Sequence, residues 1–288
     1  MIKSRGERAF DIINVLLMIL LAVIFIYPAL LIICTSFTSA TAITKNGYSI
    51  LIREFSLSSY EYIFGMNDSL FLRSLLNSAF VTVVSTVLNV MTTSLYAYAL
   101  TRRQLHFKKL FTIFLIIPML FAGGTIPYYL IINSLHLMNS HFAIILPSAV
   151  SAWYIILVKN FMGGLPDSLN EAAQIEGASN VQVLFKVTLP LAFPIIATII
   201  LYVAVATWND WFQASLFLDS QHKNLWTVQQ LVRQIQEAYE SILGKDTDLN
   251  AEGIKCATVV ISTLPIVIVY PFLQKYFIGG VLVGGVKE

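Results

Sequence analysis

The stretch that decides the fold of this 288-residue chain runs from Leu110 to Val158: LFTIFLIIPMLFAGGTIPYYLIINSLHLMNSHFAIILPSAVSAWYIILV. These 49 residues contain no Asp, Glu, Lys or Arg. A bilayer core about 30 Å thick is crossed by about 20 apolar residues, so one helix of this length would be more than twice too long. The chain therefore turns once within the stretch. Polar residues place that turn near its middle: Asn133, Ser134, His136, Asn139, Ser140 and His141.

Four further uncharged runs cover residues 12–44, 74–101, 187–209 and 256–274. Backbone groups left unpaired in lipid are costly, so membrane-crossing runs of this kind form helices. The sequence thus predicts an all-α integral membrane protein, with one transmembrane domain over residues 1–288. Its six predicted spans are 12–34, 74–101, 110–132, 141–161, 191–211 and 254–277.

Composition excludes several functional classes. Apolar residues make up 57% of the chain and charged residues 12%, with a mean hydropathy of +0.75 and a formal charge of +2. These values exclude a soluble enzyme, a disordered protein and a nucleic-acid binder. Cys34 and Cys256 fit no disulfide framework or metal site. The chain also lacks a phosphate-binding glycine loop, an HExxH motif and a nucleophile triad, so we expect no catalytic residues, no metal site and no enzymatic activity.

Charge placement predicts the orientation. Six spans place four segments on the same side of the membrane as the N-terminus: residues 1–11, 102–109, 159–190 and 275–288. These segments hold 11 of the 18 Lys and Arg residues, although they are shorter than the segments on the other side. Positively charged loops stay in the cytoplasm, and the cluster Arg102, Arg103, Lys108 and Lys109 is the clearest marker. We therefore expect a multi-pass plasma-membrane protein with both termini cytoplasmic. Residues 35–73 and 212–253 then form the outer segments.

One predicted cytoplasmic loop, residues 164–190, has a distinctive sequence. It contains PDSLNEAAQIEG over residues 166–177. Ser168 and Glu171 have the spacing of a capping box, and Gly177 is suited to the left-handed conformation that ends a helix. A second short helix is expected from Ser179 to Val187. The pattern predicts a short helix across the cytoplasmic face, with a small alanine surface that another protein can approach closely.

The same loop carries a family resemblance. Glu171-Ala172-Ala173, Gly177-Ala178, Phe185 and Leu189-Pro190 resemble the EAA loop of ATP-binding-cassette (ABC) importer permeases of the carbohydrate-uptake, maltose-type branch. Two further stretches, residues 121–127 and 270–277, are similar to the polysaccharide or lipoprotein-type subgroup, which occurs often in Gram-positive bacteria. The resemblance extends over most of the chain.

The resemblance implies a type I importer fold and a role for each motif residue. Residues 171–177 would be a coupling helix inserted into a groove of an ATPase, with Glu171 paired to a basic residue there. The coupling residues so implied are Glu171, Ala172, Ala173, Glu176, Gly177, Ala178, Leu189 and Pro190. ATP and Mg²⁺ would bind to the partner ATPase, and this chain would bind no cofactor.

The resemblance also implies the assembly and its cargo. The partners would be a second homologous permease, a cytoplasmic ABC ATPase dimer and an extracellular substrate-binding lipoprotein. Together with membrane lipid, they would form a machine that imports a carbohydrate, an oligosaccharide released from a larger glycan, by ATP-driven alternating access. No nucleic acid is involved.

Sugars bind to aromatic faces and planar polar groups in cavities between helices. Residues of this type near the span ends are Tyr128, Tyr129, Trp153, Tyr154, Trp208, Asn209, Asp210 and Trp211. An aromatic belt at the lipid headgroups explains the terminal aromatic residues equally well. Asn209 and Asp210 favour a water-filled path or the bundle interior over lipid, although they also suit a connection between span and loop.

Other functions stay open at the level of sequence. One is an ABC permease for another small solute; others are an ATP-independent channel or secondary carrier, or a purely structural membrane protein. The EAA loop and the scarcity of ionisable groups within the spans argue against a carrier. An amphipathic helix from Trp226 onward fits either shielding of the bundle or docking of a binding protein.

Overall fold

The computed structural model describes residues 5–65, 69–121, 123–242 and 250–285. Across these residues the chain is helical, without a β-strand; a single isolated bridge joins Thr38 and Phe55. Parts of the predicted outer segments (66–68 and 243–249), one residue of the 121–127 motif (122) and both termini (1–4 and 286–288) lie outside the described residues. The all-helical class expected from the sequence is confirmed.

The helices follow one another with short connections. A π-helical turn, Leu184–Thr188, separates α10 from α11, and a 3-10 turn, Lys223–Leu225, precedes α14. The α-helices are α1 Arg5–Ser36, α2 Ala40–Asn46, α3 Ser58–Gly65, α4 Leu70–Thr101, α5 Lys108–Leu120, α6 Thr125–Ser134, α7 Phe142–Ser148, α8 Ala152–Gly163, α9 Asp167–Ile175, α10 Asn180–Val183, α11 Leu189–Leu191, α12 Phe193–Trp208, α13 Phe212–Phe217, α14 Val228–Ile242 and α15 Ala251–Gly285.

Four stretches are long and apolar enough to cross a membrane: Phe10–Ser36, Leu70–Thr101, Phe142–Gly163 and Ala251–Pro271. Two bent pairs, α5 with α6 and Asn180–Leu191 with Phe193–Trp208, bring the number to six if each pair is one span. The segment predicted as one span over residues 110–132 thus consists of two helices, α5 and α6, at an angle of 118°. Gly124 has a φ of 84°, and this left-handed backbone separates the two helices.

The described residues cluster into two compact units. The first comprises residues 1–71 and 232–264. In it, Phe37 stacks on Phe55 and Tyr60, with ring centroids 5.8 and 4.8 Å apart. The α1 stretch Phe10–Ser36 buries none of its apolar window within the chain, as expected for a helix whose neighbours are lipid or another subunit.

Asn250 organises the start of α15 in this unit. Its Oδ1 accepts a hydrogen bond from the N–H of Gly253 at 2.9 Å, which caps the helix. Its Nδ2 donates to the carbonyl of Thr38 at 2.8 Å and lies 3.3 Å from Ser59 Oγ. One side chain thus ties α15 to the segment after α1 and to α3.

The second unit comprises residues 72–231 and 265–288. Its core lies where α4, α5, α8, α10 and α12 meet, and it positions the loop that carries the EAA motif. The buried members are Ala97, Tyr98, Leu100, Leu115, Ile155, Val158, Met162, Val183, Leu184, Ala192, Ile196, Ile199 and Val203.

Candidate coupling surface and substrate path

The helix that carries the EAA motif, α9, begins one residue after Pro166. Its N-cap is Pro166, and no side chain caps the first turn. The capping box predicted for Ser168 and Glu171 is therefore wrong, because Ser168 already lies inside the helix. The negative carboxylate of Asp167 suits the positive end of the helix dipole. That carboxylate is also held at 2.8 Å by the guanidinium of Arg103.

The end of α9 follows the sequence prediction. Gly177 has a φ of 87°, so it supplies the left-handed residue that closes the helix. Its N–H donates to the carbonyl of Gln174 at 3.0 Å, and the N–H of Ala178 donates to the carbonyl of Ala173 at 3.0 Å. These two bonds form a Schellman motif, which fixes the direction in which the chain leaves α9.

A capping box does occur, at the next helix. The side chain and backbone of Ser179 exchange hydrogen bonds with those of Gln182 at the start of α10. The expected helix from Ser179 to Val187 is present as α10 followed by the π-helical turn Leu184–Thr188. After Leu189 and Pro190, the chain bends by 82° into α12.

One face of α9 lines a polar cleft. Asp167, Asn170, Glu171 and Gln174 recur at helical spacing and line it together with residues 98–105. The cleft has a volume of about 480 Å³. Two polar contacts fix the rest of this face: Asn170 Oδ1 lies 3.4 Å from Thr188 Oγ1, and Gln174 Nε2 lies 3.2 Å from Asn180 Oδ1. Among the described residues, the side chain of Glu171 has no ion pair and no hydrogen bond.

The two alanines of the motif have different surroundings. Ala173 packs against the buried core, as does Ala178 beyond the Schellman turn. Ala172 is exposed, and it lies between Leu169 and Ile175, which are 42% and 88% exposed. Leu169, Ala172 and Ile175 therefore form an outward apolar ridge, which we call the α9 ridge.

The sequence analysis did not single out Leu169 or Ile175, and it used Arg103 only as a marker of the cytoplasmic side. The spacing of Leu169, Ala172 and Ile175 contained the signal for the ridge, since residues three apart share a helix face. The ion pair between Arg103 and Asp167 left no local signal, because the two residues are 64 positions apart.

The structure separates the predicted substrate-path residues into several places. Tyr128 and Tyr129 on α6 both contact the ring of Phe217, at centroid distances of 5.3 and 6.4 Å. The Tyr128 hydroxyl donates to Gln213 Oε1 at 2.9 Å. Asp210 accepts a hydrogen bond from the N–H of Gln213 at 3.0 Å, so these residues form one connected group.

Asn209 lies at the end of α12, and Asp210 lies just before α13. The Asn209 side chain donates to the carbonyl of Val205 at 2.9 Å, within the last turn of α12. Asp210 accepts from the first turn of α13. Each polar group therefore satisfies backbone at the junction of span and loop.

The remaining aromatic residues have other contacts. Tyr154 contacts Tyr202 of α12, with ring centroids 6.4 Å apart, and the neighbouring Trp153 is 53% exposed. Trp208 is buried and lines an apolar cavity of about 630 Å³ between α4, α12 and α15. Trp211 packs edge-on against Phe212.

Comparison with known proteins gives a consistent result. Residues 108–282 match the family model described as the binding-protein-dependent transport system inner membrane component. Among curated proteins, the chain is 39% identical to protein LplC of Bacillus subtilis (strain 168), over 99% of this chain and 97% of that protein. It is 37% identical to the polygalacturonan/rhamnogalacturonan transport system permease protein YtcP of the same organism, over 98% and 99%.

A solved structure is similar over nearly its whole length. It belongs to a bacterial ABC transporter involved in the import of the acidic polysaccharide alginate, and one of its chains is 31% identical to this one. The match covers 96% of this chain and 99% of that one, with a TM-score of 0.84.

Proposed function

Because the chain belongs to the family of inner membrane components of binding-protein-dependent transport systems, we propose that it is a permease subunit of an ABC importer for carbohydrate. It forms a translocation path with a second, homologous permease, and an ATPase dimer drives the path between inward-open and outward-open states. A substrate-binding lipoprotein delivers the sugar at the outer face.

The observation that carries this proposal is the α9 ridge. A side chain as large and as exposed as Ile175, 88% accessible on a short helix outside the predicted spans, favours an interface. Beside the ridge, Ala173 anchors α9 to the core. A helix held rigidly on one side and apolar on the other is suited to transmit movement from a partner to the bundle.

The position of Glu171 supports the coupling role further. Its carboxylate lines the polar cleft beside the ridge and has no cationic partner among the described residues. We propose that a basic side chain of the ATPase pairs with it when the ridge docks. ATP and Mg²⁺ then bind to the ATPase, and this chain supplies neither a nucleotide site nor a catalytic residue.

The orientation follows from the same assignment. The cytoplasmic side contains α9, the basic cluster at residues 102–109 and both termini. Residues 35–73 and 212–253 lie outside, where the binding protein docks. The positive-inside rule supports this arrangement independently of the family.

The proposed cargo is an oligosaccharide from a larger glycan. The names of the relatives support it, since one concerns polygalacturonan and rhamnogalacturonan and the solved transporter imports alginate. The exposed aromatic rings of Trp153 and Trp211 supply faces on which pyranose rings stack. Uronate-containing oligosaccharides are therefore the first compounds to test.

The test begins with a tagged form of the chain, purified in mild detergent from its native membrane. Mass spectrometry should identify an ATPase, a second permease with an EAA loop and a lipoprotein. The captured complex is then reconstituted in vesicles, and uptake of radiolabelled trigalacturonate is compared with uptake of raffinose, with and without ATP.

Each outcome separates the candidate functions. ATP-dependent uptake of either compound supports a carbohydrate importer. Capture of the three partners without sugar uptake favours an ABC permease for another solute. Uptake without ATP favours a channel or carrier. A folded preparation with no partners and no uptake would contradict the importer assignment altogether.

A further inference from the structure

One candidate span contains a break that the sequence analysis did not anticipate. Between α7 and α8, within the stretch Phe142–Gly163, the chain leaves the helical conformation: Ala149 still has a φ of −66° and a ψ of −21°, whereas Ser151 is extended, with a φ of −130° and a ψ of 115°. Pro147 lies one residue before the end of α7. Its ring has no N–H and crowds the preceding turn, so the helix is weakened at this point.

A break inside a span exposes backbone carbonyls that the continuous helix would have satisfied. In a membrane such groups need partners from neighbouring elements. Here α4 supplies them. Asn89 Nδ2 donates to the carbonyl of Ser148 at 2.7 Å, and the Thr92 hydroxyl donates to the carbonyl of Ala149.

The geometry of this support is well defined. Asn89 is only 1% exposed, and its Oδ1 accepts a hydrogen bond from Thr93 Oγ1 at 3.1 Å. The amide group is therefore oriented from both sides. A buried polar side chain within a span is costly unless it is hydrogen-bonded, and here the amide donates to the carbonyl of Ser148 at the break.

After the break, α8 begins at Ala152 as a separate helix. Ser151 caps it by accepting a hydrogen bond from the N–H of Tyr154 at 3.5 Å. Trp153 and Tyr154 thus lie in the first turn of a new helix. Since each helical residue turns by about 100°, the extended backbone at Ser151 changes the face on which these rings emerge relative to a continuous helix.

We propose that Asn89 and Thr92 are positioning residues for the translocation path. They hold the break in place, and the break sets the direction of Trp153 and Tyr154 toward the sugar. This inference rests on the proposed function, and it gives two residues of α4 an indirect role, through the break.

The variants are chosen to separate positioning from general stability. Asn89→Leu and Thr92→Val remove the donors with little change of shape, whereas Thr92→Ser keeps the hydroxyl. Ser85→Ala is the matched control. Ser85 lies one turn before Asn89 on α4, is fully buried, and has a hydroxyl without a hydrogen-bond partner among the described residues.

The first measurement is a double-mutant cycle in vesicles containing the complete captured complex, with trigalacturonate as the probe. Asn89→Leu and Trp153→Ala should each raise the trigalacturonate concentration for half-maximal uptake about fivefold or more, and Asn89→Leu should add little once Trp153 is already Ala, because both act at one place. Thr92→Ser and Ser85→Ala should transport like the wild type. Additive effects of Asn89→Leu and Trp153→Ala would overturn the inference.

The second measurement does not depend on transport. Cys34 and Cys256 are replaced by Ser, and Val150, which is 57% exposed at the break, is replaced by Cys. Asn89→Leu should slow labelling of this Cys by a water-soluble maleimide, whereas Ser85→Ala should not.

Equal labelling rates in the two variants overturn the inference, whatever the transport result. Absence of ATP-driven uptake by the wild type counts against the proposed function instead, and the labelling experiment then decides the role of Asn89.

Discussion

Asn139 and Asp219 exchange two hydrogen bonds, one donated by each residue, although they are 80 positions apart in the sequence. Asn139 Nδ2 donates to Asp219 Oδ2 at 2.9 Å, and the Asp219 N–H donates to Asn139 Oδ1 at 2.9 Å. Asn139 has a φ of 56°, a left-handed conformation that Asn tolerates better than most residues. The turn between α6 and α7 is thus joined to the segment after α13.

This pairing predicts a pH dependence. Asp219 also accepts hydrogen bonds from His222 and from backbone N–H groups, and these bonds, that from the His222 side chain above all, lower its pKa below the ordinary value. A lowered pKa in the folded state means that the ionised form stabilises the fold. The contribution is present above the ordinary pKa and is lost as the pH falls below it.

We expect Asp219→Asn, tested at pH 7 by limited proteolysis of the detergent-solubilised protein, to be cut faster within residues 217–226 than the wild type. Lowering the pH below 3.8, the ordinary pKa of Asp, should accelerate cleavage of the wild type and leave the variant little changed. Glu61→Gln, at an exposed carboxylate, is the control. Identical cleavage of all three proteins would contradict a structural role for Asp219.

The α9 ridge gives a second prediction. Ile175→Glu places a charge at the most exposed apolar position of the helix, so retention of the ATPase in co-purification should fall by about tenfold or more, as for an interface hot spot. Leu135→Glu is the control, because Leu135 is 59% exposed and lies in the turn after α6, which we place on the outer face. Equal retention by the two variants would show that the ATPase does not use the ridge.

The closing turn of α9 gives a third prediction. Nothing lies within 4 Å of a Cβ added at Gly177, so substitution there is opposed by its φ of 87° rather than by a clash. Gly177→Val should cost about 1–2 kcal/mol at this turn and strongly reduce ATP-driven uptake, because β-branched residues resist the left-handed conformation. Gly177→Asn should retain more activity. The reverse order of the two variants would rule out the conformational explanation.

The ion pair between Arg103 and Asp167 gives a fourth. Both side chains are highly exposed, 87% and 62%, so the pair contributes little to global stability. We expect Arg103→Asp or Asp167→Arg alone to lower ATP-driven uptake by a few fold, through looser placement of α9, and the double reversal to recover it. A double variant no better than the single ones would show that the pair does not position α9.

The start of α15 gives a fifth. A Cβ at Gly253 would lie 2.3 Å from Asn250 Nδ2 and 2.5 Å from Ser59 Oγ. Gly253→Ala should therefore displace the Asn250 side chain from Thr38 and destabilise the protein by about 1–3 kcal/mol, measured by thermal unfolding in detergent. Gly163→Ala, where a Cβ meets nothing within 4 Å, should be neutral or slightly stabilising. A Gly253 variant as stable as the wild type would mean that Asn250 has another position open to it.

Several features of the fold were predictable because their causes are local. Charge-free runs long enough to cross a bilayer marked the membrane helices, since the cost of burying charge in lipid acts on each segment by itself. Gly177 marked the end of α9, since only a left-handed residue forms the Schellman turn. The capping box was misplaced by eleven residues because Ser168 and Ser179 have the same local pattern, but α9 already begins at Asp167, so Ser168 lies inside the helix.

The sequence by itself determined that this chain is helical, belongs in a membrane and carries an EAA loop, because hydrophobicity and helix-ending residues act over a few turns. Only the tertiary structure decided which alanine of that loop packs on the core, which face of α9 is free, and where span residues 142–163 break. Each of these depends on partners far away in sequence, such as Asn89 for Ser148 and Arg103 for Asp167, and such pairings leave no periodic signal in the chain.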